Sequence, residues 1–218
     1  MAYGLVYLSF DIENIAIITN LNEKYKIAVE ELGRRIVQDV AGLAGSIYQG
    51  LWYEISKFAT VNEENGKCGT AEYTLDGEVV KLKNSNVVNG VLEYIEGTAR
   101  LADDAQGTGK LVVTLNFGGN TLTREMSLSV VATDYTNYAI AYNCKYDEAK
   151  KPYHSLLLES VWVLSRTKTL EGDAKTAVDN FFNTDGKEID TSKLVPSDFS
   201  EEACKYSGTS VVSVRPKA

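Results

Sequence analysis

The spacing of apolar positions divides this chain into a short mixed segment, a long run of period-two alternation and one late helix. Tyr3–Phe10 and Ile15–Thr19 read as short strands. In Glu23–Val40, Ile27, Leu32, Ile36 and Val40 recur near helical spacing. Glu30, Glu31, Arg34 and Arg35 fill the positions between, which predicts an amphipathic helix. Gly33 weakens that helix by up to about 1 kcal/mol relative to alanine, and Gly42 and Gly45 end it. From Tyr48 the period drops to two. Strands are predicted at Trp52–Phe58, Thr70–Thr74, Glu78–Lys83, Val91–Ala99, Leu111–Phe117, Thr121–Val131, Tyr138–Tyr142 and Leu157–Ser165. Asp76-Gly77 and Gly118-Gly119-Asn120 supply hairpin turns. In Glu171–Phe182 the stripe Ala174, Ala177, Val178, Phe181 predicts a helix, with Glu171 and Asp173 favourably placed in its first turn. About eight strands joined mostly to their neighbours predict an all-β, up-and-down antiparallel barrel with a C-terminal helix outside it. The predicted division is an atypical helical or mixed extension over 1–46 and a barrel domain over 47–218.

Two distant segments give that barrel a closed end. Gly50-Leu51-Trp52-Tyr53-Glu54 places a tryptophan at a strand entry, and Val161-Trp162-Val163-Leu164-Ser165-Arg166 ends a strand on an arginine. A sheet that closes on itself can lay Arg166 over the Trp52 indole, a contact worth about 0.5–2 kcal/mol. A barrel closed in this way encloses a cavity, which implies a small ligand rather than a reaction.

Composition fits that picture. Apolar residues make up 44% of the chain, enough for a core, and tyrosine is over-used at 13 copies against 6 phenylalanines. Tyrosine suits half-buried strands and cavity walls, offering a flat face and a hydroxyl. A net charge of −8 argues against nucleic acid or an anionic membrane as partner. No apolar run approaches the roughly 20 residues that span a bilayer. Asp11 and Glu13 interrupt the apolar patches of the first twenty residues, and no basic stretch precedes them, so they make a poor secretory leader. Cys68, Cys144 and Cys204 are either three thiols or one disulfide and one thiol, and no CxxC or Cys/His cluster points to a metal. The single histidine, His154, reads as a solvated loop residue or a ligand contact. No phosphate-binding loop, GxSxG or HExxH is present, so no enzyme is expected.

Several segments carry a family resemblance. They are Tyr48-Gln49-Gly50-Leu51-Trp52-Tyr53-Glu54-Ile55-Ser56-Lys57, Asn65-Gly66-Lys67-Cys68-Gly69-Thr70-Ala71-Glu72-Tyr73, Val87-Val88-Asn89-Gly90-Val91 and Glu93-Tyr94-Ile95-Glu96-Gly97. Further along come Ala132-Thr133-Asp134-Tyr135-Thr136-Asn137-Tyr138-Ala139-Ile140, Asn143-Cys144-Lys145-Tyr146-Asp147, Trp162-Val163-Leu164-Ser165-Arg166 and Ser197-Asp198-Phe199-Ser200-Glu201-Glu202-Ala203-Cys204. A lone Gly-x-Trp is common by chance. Gly-x-Trp, Thr-Asp-Tyr and the late arginine in order are specific. From about residue 40 onward the chain resembles the insect bilin-binding lipocalins.

The resemblance implies a secreted calyx that binds a linear tetrapyrrole, biliverdin, non-covalently and without a metal, giving a blue coloration protein. Carried over, Cys68 pairs with Cys204. The family's second disulfide joins the equivalent of Cys144 to an N-terminal segment rich in Cys and Pro, whereas residues 1–39 contain neither. The implied structural set is Gly50, Trp52, Thr133, Asp134, Tyr135 and Arg166. The implied ligand-binding set is Val61 in the mouth loop, Asn84 and Asn86 on the second strand, Ile95 (or Tyr94, since pleat parity admits one), Leu115 and Phe117 on the fourth strand, and Asn143. Lys83, Lys145 and Arg124 are candidate cations for the bilin propionates. Some family members carry histidines where Asn86 and Asn89 stand. Rival readings are a carrier of another lipophile (fatty acid, retinoid, carotenoid or odorant) and an assembly protein that uses the Glu23–Val40 helix, with a homo-oligomer possible in either case. Residues 1–39 could alternatively cap the calyx.

Overall fold

The computed structural model describes residues 48–58, 66–77, 79–105, 107–119, 121–146 and 157–212. The expectations for residues 1–46, Val61, Asn65 and His154 lie outside them, as do the side chains of Lys145, Tyr146, Leu157 and Leu158. Eight long strands follow one another: β1 (Gly50–Phe58), β2 (Lys67–Asp76), β3 (Val79–Val88), β4 (Val91–Leu101), β5 (Lys110–Phe117), β6 (Leu122–Thr133), β7 (Tyr138–Tyr146) and β8 (Leu157–Ser165). Each pairs antiparallel with its neighbours in sequence, and β8 returns to β1, which closes the barrel. Helix α1 (Gly172–Asn183) follows, then the three-residue strands β9 (Leu194–Pro196) and β10 (Ser210–Val212). The eight-stranded barrel with an outer helix is as expected. Several strands run longer than their apolar alternation, because polar residues such as Asn84, Ser85 and Asn86 continue the ladder. The β3–β4 hairpin turns on Asn89 and Gly90, both at positive φ, which is the tight turn such a dipeptide favours.

Two separate apolar clusters define inside and outside. The inner one takes at least one buried residue from every barrel strand: Trp52, Ala71 and Tyr73, Leu82, Ala99, Leu111 and Val113, Val130, Ala139 and Leu164. The outer one lies on β6, β7, β8 and the end of β1, where Val131, Ile140, Val161, Val163 and Phe58 meet Val178 and Phe181 of α1. Because strand side chains alternate, these clusters fix the facing of every other residue in register with them. Val178 and Phe181 are the buried half of the predicted helical stripe.

The two tail strands fill places that the eight leave open. β2 pairs with β1 only over Gly50–Tyr53, and β9 takes the free edge at Ser56–Phe58. β5 pairs with β4 only over Glu96–Leu101, and β10 pairs in parallel with Leu92–Tyr94. A disulfide between Cys68 and Cys204 holds the tail between these two patches. Among the described residues no helix is long and apolar enough to cross a membrane.

Candidate functional site

At the closed end, Trp52 is fully buried and its Nε1 donates to Tyr48 O at 2.9 Å. The Arg166 guanidinium lies 3.6 Å above the indole centroid. Its Nη1 donates to Leu51 O and its Nη2 to Tyr135 O, at 3.0 and 3.2 Å. Gly50, at φ +90°, lets the chain enter β1 beneath Arg166 in a conformation a side chain would strain. Tyr48 packs against Trp52 and Tyr73, with ring centroids 5.0 and 5.2 Å away. Burial first, then the neighbouring phenol of Tyr73, pushes the Tyr48 hydroxyl well above its usual range. Burial and then the Glu54 charge do the same to Tyr73. Both phenols stay neutral.

The Thr133-Asp134-Tyr135 turn braces the same end. Thr133 Oγ1 donates to Tyr138 O and accepts from Tyr135 N. Asp134 Oδ1 accepts from the backbone N–H groups of Thr136, Asn137 and Tyr138. Partial burial works against the Asp134 charge. Hydrogen bonds from the Asn137 side chain and these backbone donors outweigh it and hold the carboxyl below its usual range.

Above this floor the inner face changes character. Asn84 stands opposite Ala71 and Ile95, and Leu115 stands opposite Gly97. Asn86 and Phe117 share the parity of those positions, and Asn143 shares that of Ala139 and Ala141. All six described candidates thus face inward. They lie on β3, β4, β5 and β7, so the asparagines are on the third strand and Leu115 and Phe117 on the fifth, one later than expected. Asn84, Asn86, Ile95, Leu115, Asn143 and Trp162 are only half-buried, whereas Trp52, Tyr73, Leu82, Ala99, Val113 and Leu164 are buried. Inward side chains that still meet solvent line open space. The barrel is therefore packed around Trp52 and more open toward the end of the Asn89-Gly90 hairpin, where of the inward candidates Phe117 is the buried one.

The polar wall residues differ in how they are satisfied. Asn143 Nδ2 donates to Ser127 O and so braces the wall itself. The Asn84 Oδ1 atom is buried and has no hydrogen-bond partner among the described residues. Leaving such an acceptor unmet costs about 1–3 kcal/mol.

Ile95, not Tyr94, faces the cavity. Tyr94 lies outside with Lys83 Nζ 4.5 Å from its ring centroid. Lys83 stands opposite Glu72 and Glu96 on the outer face, which corrects its place among the mouth cations. Arg124, opposite Leu115, keeps the inward parity and is exposed. Cys144 is a free thiol in the outer cluster near Tyr142, whose hydroxyl donates to Glu159 at 2.9 Å. Burial pushes the Cys144 thiol up, so it is not poised as a nucleophile. Among the described residues no three or more His, Cys, Asp and Glu side chains group as a metal site.

Sequence reasoning missed one inner feature. Glu54 and Lys57 form an ion pair of 2.8 Å in which both side chains are about nine-tenths buried. A bulge in β1 between Glu54 and Ser56 puts both on the inner face, opposite Leu164 and Trp162. Strict alternation would send residues three apart to opposite faces.

Residues 49–200 match the Lipocalin / cytosolic fatty-acid binding protein family. The chain is 48% identical over 166 residues to insecticyanin-B of Manduca sexta, covering 75% of this chain and 78% of that protein. It is 46% identical over 169 residues to the bilin-binding protein of Pieris brassicae, covering 78% and 85%. The structure of insecticyanin from the tobacco hornworm Manduca sexta superposes with a TM-score of 0.70 at 44% identity, covering 78% of this chain and 88% of that one. With that match along the barrel and an indole closed under a guanidinium, the chain belongs to the lipocalin family.

Proposed function

We propose that this lipocalin binds a linear tetrapyrrole, biliverdin, non-covalently in its calyx and serves as a secreted blue pigment protein. The observation that carries the reading is the inner wall away from Trp52, where Asn84, Asn86, Ile95, Leu115 and Trp162 turn inward and are only half-buried. A bilin is a flat, apolar ligand with N–H donors along one edge. It would fill the space between Ile95, Leu115, Phe117 and Trp162 and bring a donor to Asn84. Asn86 and Asn143 would border it, Val61 would meet it at the mouth, and Arg124 is an inward-facing, exposed cation available to a propionate. The name of the bilin-binding relative points the same way. The Cys68–Cys204 disulfide suits an oxidising, extracellular compartment.

A fatty acid or carotenoid would fill the apolar wall but bring no N–H to Asn84. The test is competition. Biliverdin is titrated into the protein, followed by its red absorption band and the quenching of tryptophan emission, and then challenged with oleate and retinol. The expected result is a saturable band that neither lipid displaces at tenfold excess. Absence of the band, or tighter binding of either lipid, overturns the reading.

A further inference from the structure

The buried pair on β1 has the chemistry of a ligand contact. Glu54 is the first inward residue above the Trp52 floor, and its neighbour on β2 is Gly69. A Cβ at Gly69 would lie 2.5 Å from Glu54 Oε2, so the glycine leaves the space that the carboxylate occupies. Lys57 Nζ donates to Oε2. Among the described residues no hydrogen bond reaches Oε1. The charge is felt inside the barrel, since it helps to raise the Tyr73 phenol. Across Gly69 and Ala71 stands Asn84 with its unmet Oδ1. Two acceptors on β1 and β3, one charged, therefore flank the inner face of β2 on one side of the cavity. The facing side presents the apolar Leu115 and Phe117 on β5 and Met126 and Leu128 on β6, with Arg124 beyond them.

We propose that Glu54 contacts the ligand, taking a tetrapyrrole N–H on Oε1 while Lys57 holds Oε2, and thereby sets the colour of the bound pigment. This rests on the tetrapyrrole reading above. A carboxylate held against bilin nitrogens favours keeping their protons, and a bilin that gains a proton absorbs further to the red. Lys57 acts as a positioning residue: it fixes one oxygen and offsets a charge that would be costly to bury alone. The same arrangement disfavours ligands that lead with a carboxylate.

The test compares wild type, Glu54→Gln, Asn84→Leu and the doubly neutral Glu54→Gln/Lys57→Met, each loaded with biliverdin. Replacing both removes the two buried charges of the pair together, so the double variant keeps the measurement available where the single one fails to fold. Near-ultraviolet circular dichroism of Trp52 reports the fold. The expected result is a red band displaced to shorter wavelength in both Glu54 variants, with affinity reduced by less than about tenfold. Asn84→Leu should lower affinity with a smaller displacement. A folded Glu54 variant whose band matches wild type overturns this inference and leaves the tetrapyrrole reading standing. A wild type that develops no band overturns both.

Discussion

Asn84 should show two effects of opposite sign. Among the described residues its buried Oδ1 has no hydrogen-bond partner, so Asn84→Leu should raise the stability of the protein without pigment by about 1 kcal/mol. The same change should weaken biliverdin binding by up to about tenfold if a ligand donor meets that oxygen. Urea denaturation without pigment and titration with it read the two separately. Arg166 offers a contrast. It stacks on Trp52 and donates to two distant backbone carbonyls, Leu51 O in β1 and Tyr135 O in the turn after β6. Arg166→Leu should therefore cost about 2–4 kcal/mol, seen as a lower urea midpoint. Arg166→Lys should recover less than half of it, because an ammonium cannot stack and fork at once. Much of the residue-level picture was legible in the sequence. The Trp52–Arg166 closure could be inferred from a strand-entry tryptophan and a strand-end arginine, and parity admitted only one of Tyr94 and Ile95. Glu54 and Lys57 were not legible, because the bulge after Glu54 breaks the period of two on which facing is judged.

Among the elements, the turn after β6 and the tail make distinct predictions. Asp134 has a folded-state pKa below its unfolded value of about 3.9. Its stabilising contribution is thus present above that value and lost as pH falls through the folded one. Stability measured from pH 6 downward should fall less steeply below about pH 4 in Asp134→Asn than in wild type. The tail is clamped by Cys68–Cys204 across a sequence separation of 136. Chain entropy alone sets the loss on Cys68→Ala/Cys204→Ala at about 4–5 kcal/mol. Because β10 supplies the partner of Leu92–Tyr94, amide exchange there should accelerate in that variant, while Ala99–Leu101, paired with β5, keeps its protection. Alternation located the eight long strands, and the 3.6-residue stripe located α1. Strand ends were underestimated where Asn84, Ser85 and Asn86 carry the ladder through polar residues. The Asn89-Gly90 turn was a local signal that could have extended β3 to its hairpin. The three-residue strand β9 has too short a period to detect, and the partners of β9 and of the strand-like end of the tail, β10, depend on gaps that only the closed barrel creates.

For the whole molecule, the decisive property is a barrel packed at one end and hollow at the other. Neighbour-to-neighbour pairing and closure of β8 on β1 follow from the strand count and the short connections. The depth of the cavity does not follow from them, because it depends on which inward side chains interlock. Tyr48, Trp52 and Tyr73 fill the floor, while Asn84, Asn86, Ile95 and Leu115 leave room above it. A net charge of −8 makes the molecule as a whole repel an anionic ligand, so affinity must come from burial and from local groups in the wall. Visible circular dichroism during titration with biliverdin tests this account most directly. Free biliverdin has no preferred handedness and gives no signal, whereas a molecule held in a chiral cavity does. The account predicts an induced red-region signal that saturates at one pigment per chain. A flat trace throughout the titration, with tryptophan emission unchanged, would contradict it.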